Sequence, residues 1–273
     1  MPSGLRAGFP THWRSFGDGP ETALLLHCAL AHSGAWRGVA SALSGRLSLL
    51  APDMPGHGKS ADWDHRRDLH DQITDIALDC LGSGGHVIGH SFGATIALRL
   101  AIEAPEKVRS LTLIEPVLFA AAKPEPAIYD QYLEDAAVFG AAMQKGDWAA
   151  SAKAFTTVWG GGGDWDALPD NEKAGLASRM HFIRETEPCL FDDRANLLGA
   201  GRCERITCPT LLMRGADTEP VIGAIHRALA KRIDGAKDVV IPNAGHMVPL
   251  THPELVAERI VENLDRARPR HLT

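Results

Sequence analysis

The chain alternates short apolar runs with longer segments whose apolar residues recur at helical spacing. The apolar runs, in chain order, are TALLLHC, LSLLAPD, HVIGH, VRSLTLIEP, CPTLLMRG and DVVIP. Helix-like segments lie near 34–44, 68–81, 92–104, 219–232 and 253–264. This alternation predicts an α/β fold with a mostly parallel sheet and helices on both faces, and nearly all-apolar strands are typical of a sheet that is covered on both sides.

The pattern changes between the fourth and fifth apolar runs. Residues 119–207 contain helix formers such as PAIYDQYLEDAAVFGAAM and DWAASAKAFTTVW and no convincing strand. We therefore predict a core domain of residues 1–118 and 208–273 and an inserted helical cap of residues 119–207. The length of 273 residues suits one large α/β domain with such an insertion.

Charge and composition exclude several classes of protein. The net charge is −6 and no Lys/Arg block occurs, so a nucleic-acid partner is not expected. No apolar run reaches the ~20 residues that span a bilayer, so we expect no membrane insertion. Five cysteines without a CxxC pair and an N-terminus without a signal-peptide core indicate free thiols in a reducing cytoplasm.

Several chemically useful side chains follow the predicted strands. Sites in open parallel sheets form beyond the carboxyl ends of the strands, where loops lead into helices. The residues at these ends are His27, Asp53, Ser91, Glu115, Asp217 and His246. They include a candidate for each role in acyl transfer: a hydroxyl nucleophile, a histidine base and a carboxylate.

The stretch Gly89-His90-Ser91-Phe92-Gly93 fits the pattern GxSxG between a predicted strand and a predicted helix. A nucleophile on a sharp strand-to-helix turn needs strained backbone angles and close packing on either side, which glycines permit. The following helix directs its N-terminal N–H groups toward a developing oxyanion, and the N–H of Phe92 is the first candidate donor.

These motifs together resemble the α/β-hydrolase superfamily with a helical cap. LLLHCALAHSGAW, APDMPGHGKS, GHSFG, LLMRGAD and NAGHMVPLTHPELV stand in the order that the family shows. The resemblance implies a catalytic triad of Ser91, Asp217 and His246. Glu115 is an alternative acid, because some relatives draw the carboxylate from the end of the preceding strand.

The resemblance also implies a second oxyanion donor in the loop after the first core strand. The family usually has His-Gly there, whereas this chain has His27-Cys28, and glycine reaches backbone angles that cysteine does not easily adopt. We assign the donor role to Ala29, the position after the pair. Cys28 beside an apolar strand is expected to be an inert packing thiol rather than a nucleophile.

The sequence predicts a hydrolase without metal or cofactor. Thirteen histidines occur without an HExxH motif or a paired carboxylate cluster. A serine nucleophile favours carboxylic-ester hydrolysis of small or medium apolar substrates. Lactone hydrolysis, carbon–carbon bond hydrolysis of ring-cleavage products and non-catalytic binding of a small ligand stay open as alternatives.

Substrate contacts are expected from the loop after the first core strand, from the cap and from the residue after His246. The expected residues are His27, Cys28, Trp148, Trp159 and Met247. We expect a monomer or a homodimer that acts on a small-molecule apolar ester or lactone.

Overall fold

A computed structural model of the chain describes residues 2–160 and 164–267. Its centre is an eight-stranded sheet with the strand order β1-β2-β4-β3-β5-β6-β7-β8. The strands are β1 Ser3–Arg6, β2 Phe9–Phe16, β3 Glu21–Leu26, β4 Leu47–Pro52, β5 Gly85–His90, β6 Val108–Ile114, β7 Thr210–Gly215 and β8 Lys237–Ile241.

Strands β3 to β8 pair in parallel, and β1 and β2 pair antiparallel at one side of the sheet. The mostly parallel α/β sheet is therefore confirmed. The two antiparallel strands are absent from the sequence prediction, because residues 3–16 mix polar and apolar residues and carry no continuous apolar run. Such strands near a sheet edge need to bury less of their surface than central parallel strands do.

Helices cover both faces of the sheet. They are α1 Arg37–Leu43, α2 Leu69–Leu81, α3 Phe92–Glu103, α4 Pro126–Asp135, α5 Ala137–Lys145, α6 Trp148–Trp159, α7 Asp170–Asp192, α8 Pro220–Arg232, α9 Val248–Thr251 and α10 Pro253–Arg266. The helices predicted near 92–104, 219–232 and 253–264 agree with α3, α8 and α10 to within two residues at each end.

Side chains of one strand alternate between two hydrophobic cores. In β3, Leu24 and Leu26 pack into the core that α2, α3 and α8 cover, whereas Ala23 and Leu25 pack into the core that α1 and α10 cover. The alternation follows from the two-residue period of a strand. Because both faces of the central strands are buried, their sequences are unbroken apolar runs.

Helices α4 to α7 all lie between β6 and β7, as the predicted cap requires. They have a small core of their own around Met143, Ala152 and Met180. Trp159 and Phe182 instead belong to the larger core above the sheet, so the inserted helices are packed onto it. The boundaries at 118/119 and 207/208 stay a prediction. Among the helices of residues 2–160 and 164–267, none is long and apolar enough to cross a membrane.

Candidate active site

Ser91 stands at the turn between β5 and α3, and the strain of this turn is on the serine itself. Its backbone has φ 55° and ψ −118°, a conformation that side chains with a Cβ rarely adopt. Its N–H donates to the carbonyl of Ile114 at 2.8 Å, which holds the turn against β6.

The two glycines of the motif allow close packing beneath Ser91. A Cβ on Gly89 would collide with the backbone of Gly93 and Ala94, and a Cβ on Gly93 would collide with carbonyl groups of β3 and of the residue after it. Two roles were predicted for these glycines, strained backbone angles and close packing. Neither has a positive φ, so only the close packing applies.

His246 lies in the loop after β8, and its Nε2 is 2.9 Å from the Ser91 Oγ. His90 holds this loop in position, because its Nε2–H donates a hydrogen bond to the carbonyl oxygen of His246 at 2.9 Å. Burial lowers the pKa of His90 to about 3, so its imidazole is neutral and serves as a fixed donor. Ser91 and His246 are only 7% and 6% exposed.

The carboxylate next to His246 is that of Glu115, the residue that follows β6. Its Oε2 lies 2.9 Å from His246 Nδ1 and also accepts a hydrogen bond from the Thr218 hydroxyl at 2.6 Å. Its Oε1 accepts from the N–H of Gly215 at 2.7 Å. A fully buried carboxylate needs such donors, because burial of an ion without hydrogen bonds is costly.

Asp217 does not hold the position that the sequence analysis assigned to it. It is exposed, and within residues 2–160 and 164–267 its carboxylate accepts no hydrogen bond. Its backbone N–H donates to Ala244 at 2.9 Å, which fixes the turn after β7. Glu115, the predicted alternative, reaches the imidazole because β6 lies directly beside β5, and its side chain occupies the space next to Nδ1.

Both expected oxyanion donors lie beside Ser91. Ala29 and Phe92 line the same cavity as the serine. In the part of the chain that the structure describes, neither of their N–H groups has a hydrogen-bond acceptor. The residue with positive φ in the Ala29 loop is Leu30, at 63°, so Cys28 does not need the backbone angles that favour glycine.

His27 and Cys28 are buried parts of the scaffold and are not among the described residues that line the cavity. Met54 N–H donates to His27 Nε2 at 3.0 Å, so His27 Nδ1 carries the proton and donates to the Cys28 carbonyl at 2.8 Å. Burial lowers the pKa of His27 to about 4 and raises that of Cys28 to about 12. The thiol is thus protonated and inert, and the prediction that these two residues contact substrate is not supported.

A cavity of about 500 Å³ opens above Ser91 and His246, between the sheet and the inserted helices. The Trp159 ring lies edge-on to the His246 ring, with 4.6 Å between the centroids, so this predicted contact residue does line the site. Trp148 packs in the small core of the inserted helices, and Met247 is likewise absent from the described cavity wall.

Several further residues of the site were not predicted, among them Phe119, Thr218 and Glu219. Phe119 forms part of the cavity wall, Thr218 donates to Glu115, and Glu219 follows it into the wall. Only the contact between distant segments reveals them, because no motif spacing marks these positions. Within the described residues, no group of three His, Cys, Asp or Glu side chains could hold a metal ion.

Known proteins resemble this chain in sequence and in fold. The chain is 42% identical over 103 residues to the pimeloyl-[acyl-carrier protein] methyl ester esterase of Nitrosomonas europaea, a match over 38% of this chain and 40% of that protein. It is 27% identical over 259 residues to the lipase LipV of Mycobacterium tuberculosis, which covers 93% of this chain and 97% of the lipase.

Among solved structures, the enol-lactonase of Burkholderia xenovorans superposes with a TM-score of 0.73 at 21% identity. The superposition covers 97% of this chain and 100% of the lactonase, and at this identity it shows the fold alone. The model of the alpha/beta hydrolase family matches residues 23–259. The match includes Ser91, Glu115 and His246, and the chain belongs to the alpha/beta hydrolase family.

Proposed function

We propose that the protein is a serine hydrolase that cleaves carboxylic esters of small or medium apolar substrates and that it acts through a covalent acyl-serine intermediate. The observation that supports this most strongly is the continuous chain of contacts from Ser91 Oγ to His246 Nε2 and from His246 Nδ1 to Glu115 Oε2, each 2.9 Å long. Nucleophile, base and orienting carboxylate are within hydrogen-bond reach without rearrangement.

The first half of the reaction forms the acyl-serine. His246 Nε2 takes the proton of Ser91 as Oγ attacks the ester carbonyl, and Glu115 keeps the other imidazole proton on Nδ1 and stabilises the positive charge. The N–H groups of Ala29 and Phe92 would donate to the oxyanion, at the positive end of the α3 dipole. The carbon–oxygen bond to the alcohol then breaks, and His246 returns the proton to the leaving oxygen.

The second half of the reaction regenerates the serine. A water molecule gives a proton to His246 Nε2 and attacks the acyl carbon. The bond to Ser91 Oγ breaks, the proton passes to Oγ, and the carboxylic acid leaves. Water is consumed once and no electrons are exchanged, so no further reactant is needed.

The cavity supports an apolar substrate. Aromatic and aliphatic side chains make up most of its wall, among them Phe119, Phe155, Trp159 and Phe191. Its volume of about 500 Å³ is within the range of small-molecule sites. Relatives that are named as a methyl ester esterase and a lipase favour esters over the lactone and carbon–carbon alternatives.

Methanol release from methyl pentanoate tests the proposal. We expect turnover by the protein, a loss of at least ~10³-fold in Ser91→Ala, and little change in Ser178→Ala, a control serine on the inserted helices. A fluorophosphonate should label Ser91 with loss of fluoride, as a mass shift on its peptide would show. Absence of labelling, together with no turnover of esters, lactones and a vinylogous diketone, would favour the non-catalytic binding alternative.

A further inference from the structure

The cavity above Ser91 carries negative charge at one side. Three carboxylate residues, Asp135, Glu187 and Glu219, belong to its wall, and no Lys or Arg does among the described residues. In the same part of the chain, none of the three forms an ion pair. The charge of Arg184 lowers the pKa of Glu187, against the rise caused by burial. A ligand in this cavity therefore meets at least Asp135 and Glu219 without an ion-paired cation among the described residues.

Glu219 is the carboxylate closest in sequence to the catalytic contacts. It directly follows Thr218, whose hydroxyl is bonded to Glu115, and it immediately precedes α8. Burial raises the pKa of Glu219, the carboxylate of Asp135 raises it further, and His246 lowers it. Glu219, Ser91 and His246 all line this cavity, so the carboxylate borders the space that a bound ester would occupy.

Tyr132 lines the same cavity as Glu219 and Glu187. Burial raises the pKa of the Tyr132 hydroxyl, and the carboxylates of Glu219 and Glu187 raise it further. An anion that enters this space would experience the same repulsion as the phenolate. Repulsion between like charges is stronger beside a half-buried carboxylate such as that of Glu219 than in bulk water, because less water screens it.

Resting on the ester hydrolysis proposed above, we infer that Glu219 selects substrates by charge. The site accepts esters whose acyl chain is uncharged and rejects esters whose acyl chain carries a free carboxylate in addition to the ester group. The repulsive carboxylate provides specificity by penalising the wrong substrate, while the apolar wall binds both kinds of chain. The same repulsion should favour release of the carboxylate product.

Dimethyl glutarate tests this inference within one reaction. Hydrolysis of its first ester consumes water and releases methanol and a proton, and leaves a monoester that carries a carboxylate on a chain of the same length. At about pH 8, well above the ~4.3 pKa of a free glutamate, we expect the first equivalent of methanol rapidly. The second should come at least about tenfold more slowly after correction for the alkaline reactivity of the two esters.

Substitutions test whether Glu219 causes the difference between the two rates. Glu219→Gln should bring the two rates to within about threefold and strengthen inhibition by pentanoate, and Glu219→Asp should keep the difference. Glu134→Gln is the matched control, because Glu134 is exposed on α4 beside Asp135 but is not among the described residues of the cavity wall. It should leave both rates unchanged.

The outcomes separate this inference from the proposed function. Equal corrected rates for the two esters, or an unchanged difference in Glu219→Gln, would overturn the role of Glu219 while ester hydrolysis itself stands. A protein that releases methanol from neither dimethyl glutarate nor methyl pentanoate contradicts the proposed function instead.

Discussion

Glu115 Oε2 lies 2.9 Å from His246 Nδ1, so the carboxylate on the imidazole comes from the end of β6 and not from the loop after β7. Glu115 reaches this position with φ 53°, a backbone angle that non-glycine residues rarely adopt. Ser91 has a similar φ of 55° at the end of the neighbouring β5. The two adjacent strands thus end in strained residues that face one histidine.

Removal of the Glu115 charge should reduce ester hydrolysis far more than removal of the Asp217 charge. We expect Glu115→Gln to lower kcat by ~10³-fold or more, because the imidazolium loses its counter-charge and His246 its fixed tautomer. Asp217→Asn should stay within about twofold, as exposed substitutions usually do. Steady-state kinetics with methyl pentanoate measure both, and a larger loss in Asp217→Asn would restore the original assignment.

Thr218 should act as a positioning residue for Glu115. Thr218→Val removes the hydroxyl that donates to Oε2 at 2.6 Å and keeps the shape of the side chain. We expect kcat to fall by about tenfold with KM little changed, because a buried carboxylate loses one donor. Thr218→Ser keeps the hydroxyl and should recover most of the rate. A loss of rate in Thr218→Ser without a loss in Thr218→Val would show that the methyl group matters instead of the hydroxyl.

Trp159 should hold the His246 imidazole in place through ring packing. The indole is edge-on to the imidazole at 4.6 Å and also contacts Phe119 and Tyr132. Trp159→Ala should lower kcat/KM for methyl pentanoate by about tenfold, since the imidazole loses a neighbour and the cavity loses apolar surface. Trp159→Phe keeps an aromatic ring there and should retain most activity. Unchanged kinetics in Trp159→Ala would contradict the positioning role.

The protein should lose stability as the pH falls below about 6.5. Burial lowers the pKa of His57, His70 and His90 to about 3 and that of His27 to about 4. Between these values and ~6.5, the unfolded chain binds protons that the folded protein does not, so the free energy of unfolding rises with pH throughout this range. At about pH 5, each of these histidines lowers the free energy of unfolding by ~2 kcal/mol relative to its value above pH ~6.5.

Urea unfolding at about pH 7 and about pH 5 measures this dependence. His70, which contacts Thr95 and Arg99 and is not among the described cavity residues, is the suitable residue to replace. His70→Gln removes one titrating group, so the loss of stability between the two pH values should shrink by ~2 kcal/mol. An undiminished loss would place the acid sensitivity in other groups.

The local pattern was sufficient for the parallel strands β3 to β8 and for the nucleophile. Apolar runs with covered faces predicted the parallel strands, and a serine between glycines at a strand-to-helix junction predicted the position of Ser91. These features depend on neighbours along the chain, and hydrophobic periodicity and backbone strain are local properties. The antiparallel strands β1 and β2 were not predicted, because they form by pairing with other segments, β2 with β4 and β1 with β2, and their own composition does not mark them as strands.

The tertiary structure decided which acid contacts His246 and which residues form the cavity. Glu115 and Asp217 both follow strands, and the sequence ranks them only by resemblance to relatives. The choice depends on where β6 and the turn after β7 place each carboxylate relative to a histidine more than a hundred residues from Glu115. Sequence determined the chemical groups and the strand ends that carry them, whereas the distances between those groups arise from the packing of separate segments, which no local pattern specifies.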